Sequence, residues 1–409
     1  MPEPHGHIAN RPSSARQASG IGTGIGAGPA ARALRDTGAS ALQAGARPGG
    51  PRIALIAPRN MRFSPASATS IDLYIHEIAC NSRYASSITV FAQRMEHPFE
   101  DVAVRFWDDV QDFDRWSASL REAEPDCVVV HQHLPTAARL ARAFAPLPVA
   151  LVRHNFTKRA RNLISSWRKH RQIDTLAGIA FVSQCCRTVF GTEWPDVSVP
   201  LYVTPNGIDQ GLWRPGEKAQ EVVFVGRLAP EKGVLQAAEA VARVLPGRPG
   251  WRGRFILDTK AAEPRYRDRV MAALAPAGDR IEVLQNLPHG AVRQHMARAA
   301  IALAPTQNAE PFGRVAIEAL ASGAALIASR AGGFVEIVDD AGVLLETPST
   351  ENLALALDRL IGAPDLVARL GAAGPRRIAG RYDLASAAEA FDLMVESLTG
   401  MPEARADRT

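Results

Sequence analysis

The sequence predicts an α/β protein made of two doubly wound, parallel-sheet domains in tandem. Short continuous apolar runs alternate with stretches of helical periodicity, the pattern of parallel strands buried on both faces. That pattern halts at a segment rich in turn formers, Asn206 to Gly216, and then starts again. Scale agrees: 409 residues, 46% hydrophobic and 22% charged, suffice for two or three cores and exclude wholesale disorder.

The first set of strands is expected at Ile53–Ala57, Ile88–Phe91, Cys127–Val130, Val149–Val152 and Ile179–Val182, with helices over 69–82, 135–145 and 157–175. The second set is expected at Val222–Val225, Phe255–Leu257, Ile281–Leu284, Ile301–Leu303 and Leu326–Ala328. Helices near 233–245, 265–275, 290–299 and 313–322 separate these strands. The expected organisation is a disordered low-complexity tail over 1–51, a Rossmann-like domain over 52–205 and a linker over 206–219. A second Rossmann-like domain follows over 220–382, then a helix over 383–399 and a short tail over 400–409. The Gly20–Gly28 tract has GxGxxG-like spacings but no preceding strand, so it reads as tail rather than as a nucleotide loop.

Charge narrows the partners. Lys and Arg total 47 against 42 acids, a net charge of +5. Residues 1–52 hold six Arg against only Glu3 and Asp36, so most of the excess sits in the tail. No nucleic-acid partner is implied. The four cysteines (Cys80, Cys127, Cys185, Cys186) form no CxxC pair and no metal-ligand spacing, and the adjacent pair bridges poorly. Free thiols in a reducing, cytoplasmic setting are expected. No apolar run of about 18 residues and no secretory h-region is present, so neither a membrane span nor an ordinary signal peptide is expected.

The second half carries the chemistry. The strand Val222–Val225 runs into Gly226, Arg227 and Lys232, placing two cations at a strand's carboxyl end. Cations so placed suit a pyrophosphate whose negative charge grows as it leaves. Glu310 follows another strand, and Pro311 fits the first turn of a helix. Amides around Phe312, Gly313 and Arg314 would then point at the same cleft, as helix N-termini do toward phosphates. Glu318, about two turns on, can accept hydrogen bonds from two vicinal hydroxyls. Gly332 and Gly333 end a further strand and are expected to let backbone approach a ligand.

Together the strings GRLAPEKG, EPFGRVAIEALASG and SRAGGFVEIV, with TPNGID before them, resemble the retaining glycosyltransferases of the GT-B fold, glycosyltransferase family 4. The similarity spans about 52–399, with the specific motifs in 204–340. It implies a nucleoside-diphosphate sugar held mainly by the second domain, with no metal and no other cofactor. Arg227 and Lys232 would hold the diphosphate, Glu318 the ribose, and backbone near Asn286 and Leu287 the base. Glu310 would lie beside the donor sugar in a positioning role, with His154 facing it from the first domain. His131 and His133 would line the cleft on the acceptor side. The C-terminal helix would pack back on the first domain. Cell-surface glycan, lipopolysaccharide or exopolysaccharide synthesis is the implied setting, with a glycan or glycolipid acceptor.

One departure stands out. The loop Ala57–Ser70 has no glycine pair, so the family's backbone contact there is not carried over; Arg59 and Arg62 are the cations available instead. Asp112 and Asp114 match a DxD metal pattern of a different fold and are read as a solvated acidic stretch. Residues 153–171 hold seven basic side chains and no acid, with Ala160, Leu163, Ile164 and Trp167 at helical spacing. One reading packs that apolar face on the sheet. The other makes Lys158, Arg159 and Arg161 a site for an anionic acceptor or for the inner face of a membrane. Rival functions are a nucleotide-sugar epimerase or phosphorylase on the same fold, or a noncatalytic sugar-nucleotide or glycan-binding protein.

Overall fold

The structure, a computed structural model, describes residues 50–59, 63–65, 68–107, 113–159 and 162–400. Arg62, Asp112, Ala160, Arg161 and nearly all of both expected tails lie outside the described residues. Two parallel sheets account for the strands. The first comprises β1 (Ile53–Ile56), β2 (Ile88–Gln93), β3 (Val104–Trp107), β4 (Cys127–His131), β5 (Val149–Arg153), β6 (Gly178–Phe181) and β7 (Leu201–Val203), ordered β3-β2-β1-β4-β5-β6-β7. The second comprises β8 (Ala219–Arg227), β9 (Arg252–Asp258), β10 (Ile281–Gln285), β11 (Ala299–Ala304), β12 (Ala325–Ser329) and β13 (Gly342–Leu345), ordered β10-β9-β8-β11-β12-β13. Strand order reverses beside β1 and again beside β8, the position where doubly wound sheets open a crevice at their carboxyl ends. Two such sheets in tandem make the GT-B fold that the motifs imply.

The central strands are where the apolar runs place them, because a strand covered on both faces must be apolar throughout. Edge strands β3, β7 and β13 were not expected. Each is only partly buried and includes residues such as Arg105, Tyr202 or Gly342, so no continuous apolar run marks it. The helices that bear on function are α1 (Ser70–Asn81), α2 (Phe113–Glu122), α3 (Leu134–Ala143), α4 (Leu163–Ile173) and α5 (Gln184–Glu193) in the first domain. Thr69 and Asp72 close a reciprocal capping box at the start of α1, which fixes where that helix begins. In the second domain α6 (Val234–Val244) follows β8, α7 (Pro264–Leu274) follows β9 and α8 (His289–Arg298) follows β10. The helices α9 (Arg314–Ala321), α10 (Phe334–Val338), α11 (Thr350–Ile361) and α12 (Pro364–Ile378) complete it.

The last helix, α13 (Leu384–Thr399), leaves the second domain and packs on α1. Its Phe391, Met394 and Val395 join the core built on Ile53, Leu55 and Val90. Two buried carboxylates on the same helix, Asp392 and Glu396, meet Arg83 at 3.2 and 2.9 Å, with Ser82 and Tyr84 hydroxyls donating to them as well. The two chain crossings lie side by side: Ile208 N–H donates to Tyr382 O at 2.9 Å, and Ile208 bridges Asp383.

A second set of contacts closes the cleft. Arg314, at the start of α9, forks onto both Glu77 carboxylate oxygens of α1 at 2.7 and 2.8 Å. The Ser183 hydroxyl donates to Pro311 O at 2.5 Å, and Gln184 N–H to the Glu336 carboxylate at 3.2 Å. Arg314 is buried; burial opposes its charge, but Glu77 and then Glu318 more than offset this and raise its pKa. Glu77→Ala would leave that guanidinium with only Glu318 beside it, 3.8 Å away. Stranding a buried charge costs roughly 3 kcal/mol. The expected outcome is a lower denaturation midpoint and a larger radius of gyration in small-angle scattering; unchanged values in both would contradict the cross-domain role.

Candidate active site

The loop after β8 and the loop after β11 meet at the second sheet's reversal point. Lys232 Nζ donates to the Glu310 carboxylate, which the Thr306 hydroxyl also approaches at 3.4 Å. Thr306 holds the two loops together, donating to Glu231 O at 2.8 Å, and Gln307 N–H donates to the same carbonyl at 2.9 Å. Arg227 pairs with Glu231 at 2.9 Å but both are exposed, so this pair is weak and easily exchanged. Two cations and two carboxylates therefore share a small region at the strand ends. The spacing in sequence shows the cations, but not that Lys232 is already engaged by Glu310.

Beyond Glu310 the chain turns into α9 through Gly313, at φ +101°, where a Cβ would lie 2.1 Å from the Phe334 ring. Gly332, at φ +64°, sits so close to Glu310 O that a Cβ would be 2.1 Å from it. The glycine pair admits the chain's own 310–312 loop, with Gly333 N–H donating to Glu310 O at 2.8 Å. Phe312 is core, stacked edge-on to Tyr382 with centroids 5.8 Å apart, so only its backbone is available for binding. Glu318 is nearly buried, 3.8 Å from Arg314 Nε and 3.4 Å from His289 Nε2. His289 is a neighbour the sequence did not single out. Asn286, at φ 52°, commits its N–H to Leu257 O at 2.9 Å and its side chain to Thr259, and Leu287 is partly buried against the core.

Across the cleft, β4 and β5 deliver His131 and His154 side by side. His131 Nδ1 and His154 Nε2 are 3.1 Å apart, both rings are buried, and Tyr74 stands edge-on to each. Burial lowers the His131 pKa to about 3. Burial, His131 and Arg153 together hold His154 well below its ordinary value. Both rings are neutral, one donating to the other. His133 caps α3: Thr136 N–H and hydroxyl both approach its Nδ1, at 3.3 and 2.8 Å, so its Nε2 bears the ring proton. A small pocket beside this trio is lined by Ala57, Arg59, Trp107, Trp116, His131 and His133. Among the described residues, Trp107 Nε1 and His131 Nε2 there are buried without a hydrogen-bond partner.

The basic segment departs from the expected packing. The helix starts at Leu163, capped by Asn162, not at 157, and within it only Ile173 is buried. Leu163, Ile164 and Trp167 are 87, 66 and 60% exposed. The apolar stripe thus faces outward. Arg159 is spoken for by Asp196 at 3.0 Å and by Glu193, and lies over the Trp194 ring, while Lys158 is exposed. The acidic stretch does follow a strand, β3, contrary to the sequence reading; Asp114 lies in the first turn of α2.

Comparison with known proteins places this geometry. Residues 212–377 match the family model described as glycosyl transferases group 1. A D-inositol 3-phosphate glycosyltransferase of Segniliparus rotundus is 31% identical over 203 residues, 46% of this chain and 44% of that protein, so the match spans less than half of the relative. An alpha-maltose-1-phosphate synthase of Mycolicibacterium smegmatis is 27% identical over 302 residues, 64% of this chain and 76% of that protein. Among solved structures, Anabaena HepE in complex with UDP superposes with a TM-score of 0.72 at 18% identity, covering 85% of this chain and all of that one, which supports the shared fold. The matched stretch contains Arg227, Lys232, Glu310 and Glu318, so the second domain of this chain is similar to the glycosyl transferases group 1 family.

Proposed function

We propose that the chain is a glycosyltransferase that moves a sugar, with retention, from a nucleoside diphosphate to an acceptor hydroxyl. The observation that carries this reading is the Lys232–Glu310 pair beside Arg227 at the reversal point of the second sheet. In this reading the arriving diphosphate draws Lys232 and Arg227 from Glu310 and Glu231. The cations and the amides at the start of α9 then take the charge that develops on the leaving group, in place of a metal. Glu310, released from Lys232, positions the donor sugar. Glu318 receives the ribose hydroxyls, and the base rests at Asn286 and Leu287. The diphosphate donor is supported by relatives whose names describe sugar transfer or synthesis and by the UDP bound to HepE. The neutral His154 supplies a hydrogen bond to a sugar hydroxyl rather than a charge. The acceptor enters from the first domain's side of the cleft, where Arg59 and His133 lie.

Lys232→Ala is expected to lower kcat about a hundredfold or more, the scale of losing one preorganised charge contact to a developing anion. Glu310→Gln should lower it with little change in donor-induced thermal stabilisation, read across UDP-, GDP- and ADP-sugars. Wild-type transfer or hydrolysis by the double variant would overturn the assignment; an epimerised donor or a requirement for phosphate would favour the rival chemistries.

The histidine pair makes a separate prediction. A ring with an ordinary pKa of 6.5 that falls to about 3 in the fold binds its proton only on unfolding. Its contribution is therefore complete above about pH 6.5 and drains away as pH falls toward 3, by up to about 1.4 kcal/mol per pH unit for each ring. Urea midpoints measured from pH 7.5 to 5 should fall, and fall less steeply in His131→Asn. Equal slopes would refute the neutral pair.

The outward stripe favours a membrane-borne acceptor, a glycolipid of a cell-surface glycan, lipopolysaccharide or exopolysaccharide. Leu163, Ile164 and Trp167, flanked by Lys158, Arg168, Lys169 and Arg171, present an apolar wedge inside a basic rim. Each basic residue near an anionic surface adds about 1 kcal/mol. The chain should sediment with acidic vesicles but not neutral ones, with a blue shift of Trp167 emission. Leu163→Ser with Lys158→Glu should abolish this, and undiminished sedimentation would remove the membrane from the reading. Among the described residues no helix is long and apolar enough to cross a bilayer.

A further inference from the structure

Beside Glu77 on α1, three chemically different side chains converge. His76 and Cys80 are four residues apart on one helical face. Asp101 reaches them from the connection between β2 and β3. His76 Nε2 is 2.8 and 2.9 Å from the two Asp101 oxygens, and Cys80 Sγ is 3.4 Å from the same Nε2 and 3.7 Å from Asp101 Oδ2. All three donor atoms lie within 4.8 Å of one another.

The ring is held for this. His76 stacks on Phe99 with centroids 4.0 Å apart and planes 19° from parallel, and Phe99 is buried against Phe63. The stack fixes the direction of Nε2, while Cys80 is a free thiol exposed at the helix surface. Bond lengths of 2.0–2.3 Å to a tetrahedral ion place nitrogen, sulfur and oxygen ligands about 3.3–3.6 Å apart. The two distances to sulfur already lie near that range, and the histidine–carboxylate pair needs to open by about half an ångström.

We propose that His76, Cys80 and Asp101 form a binding site for a divalent zinc-class ion, independent of the transfer reaction. Thiolate, imidazole and carboxylate together select a borderline-soft metal over calcium or magnesium. One thiolate and one carboxylate neutralise its double charge, and the thiol proton is released to solvent on binding. The fourth position faces water, since Cys80 and Asp101 are exposed, so the ion exchanges with the medium. The site would pin α1 to the β2–β3 connection one residue from Glu77, which holds Arg314 of the other domain. Metal occupancy would thereby stiffen the helix on which the cleft contact depends.

The full-length chain, stripped with chelator, is titrated with cobalt(II) and then zinc. One equivalent of cobalt should produce thiolate charge-transfer absorption with the intense visible bands of a tetrahedral site, and zinc should bleach them stoichiometrically. Cys80→Ala, at an exposed position, should keep the circular dichroism of the parent and lose the charge-transfer band, and His76→Ala should weaken affinity by at least about tenfold. No thiolate band at one equivalent, or a band that survives Cys80→Ala and so belongs to Cys127, Cys185 or Cys186, overturns the proposal.

Discussion

A buried guanidinium governs how the two halves of this molecule meet. Arg314 cannot be removed from water without anionic partners, and the two it has come from opposite domains: Glu77 of α1 and Glu318 of its own helix. In the function proposed above, Glu318 is also the residue that receives the ribose hydroxyls. The charge that orients the domains and the carboxylate that would recognise the donor are thus one electrostatic unit. Substitutions at Glu77 should be felt at Glu318, which alone would then face the buried cation.

The cleft charges are held in reserve by internal pairing. Lys232 rests on Glu310 and Arg227 on Glu231, so the crevice presents neither a bare dication nor a bare carboxylate. Exchange of these partners for a diphosphate costs little at the exposed Arg227 and more at the half-buried Lys232. The histidines obey the opposite rule, kept neutral by burial.

Much of this was legible in the sequence. Nine central strands read directly as apolar runs because both faces are covered, and Arg227, Lys232, Glu310 and Glu318 read from contiguous motifs beside strands and helix starts. Of the four edge strands only β10 read, since a half-covered strand has no need of a continuous apolar run. Nor did the pairings: Glu77 with Arg314 and Ser183 with Pro311 join residues separated by 237 and 128 positions, and nothing local records them. The stripe of α4 has the period of a packed face, and only its placement at the periphery shows that it is bare. Periodicity states that a helix has two faces. It does not state which way they point.

The helix α13 has a consequence for how the chain is made. Its Phe391, Met394 and Val395 complete a core whose first strand is Ile53–Ile56, and its Asp392 and Glu396 complete the shell of Arg83. During vectorial synthesis the second domain can fold as soon as it emerges, whereas the first must wait, with an uncovered apolar flank, for a segment some three hundred residues downstream. The order of translation and the order of consolidation are therefore inverted: the strand Ile53–Ile56 leaves the ribosome before the second domain and is among the last segments to be sealed. Chaperone dependence and sensitivity to C-terminal truncation should accordingly fall on the N-terminal half, although the missing residues are at the other end.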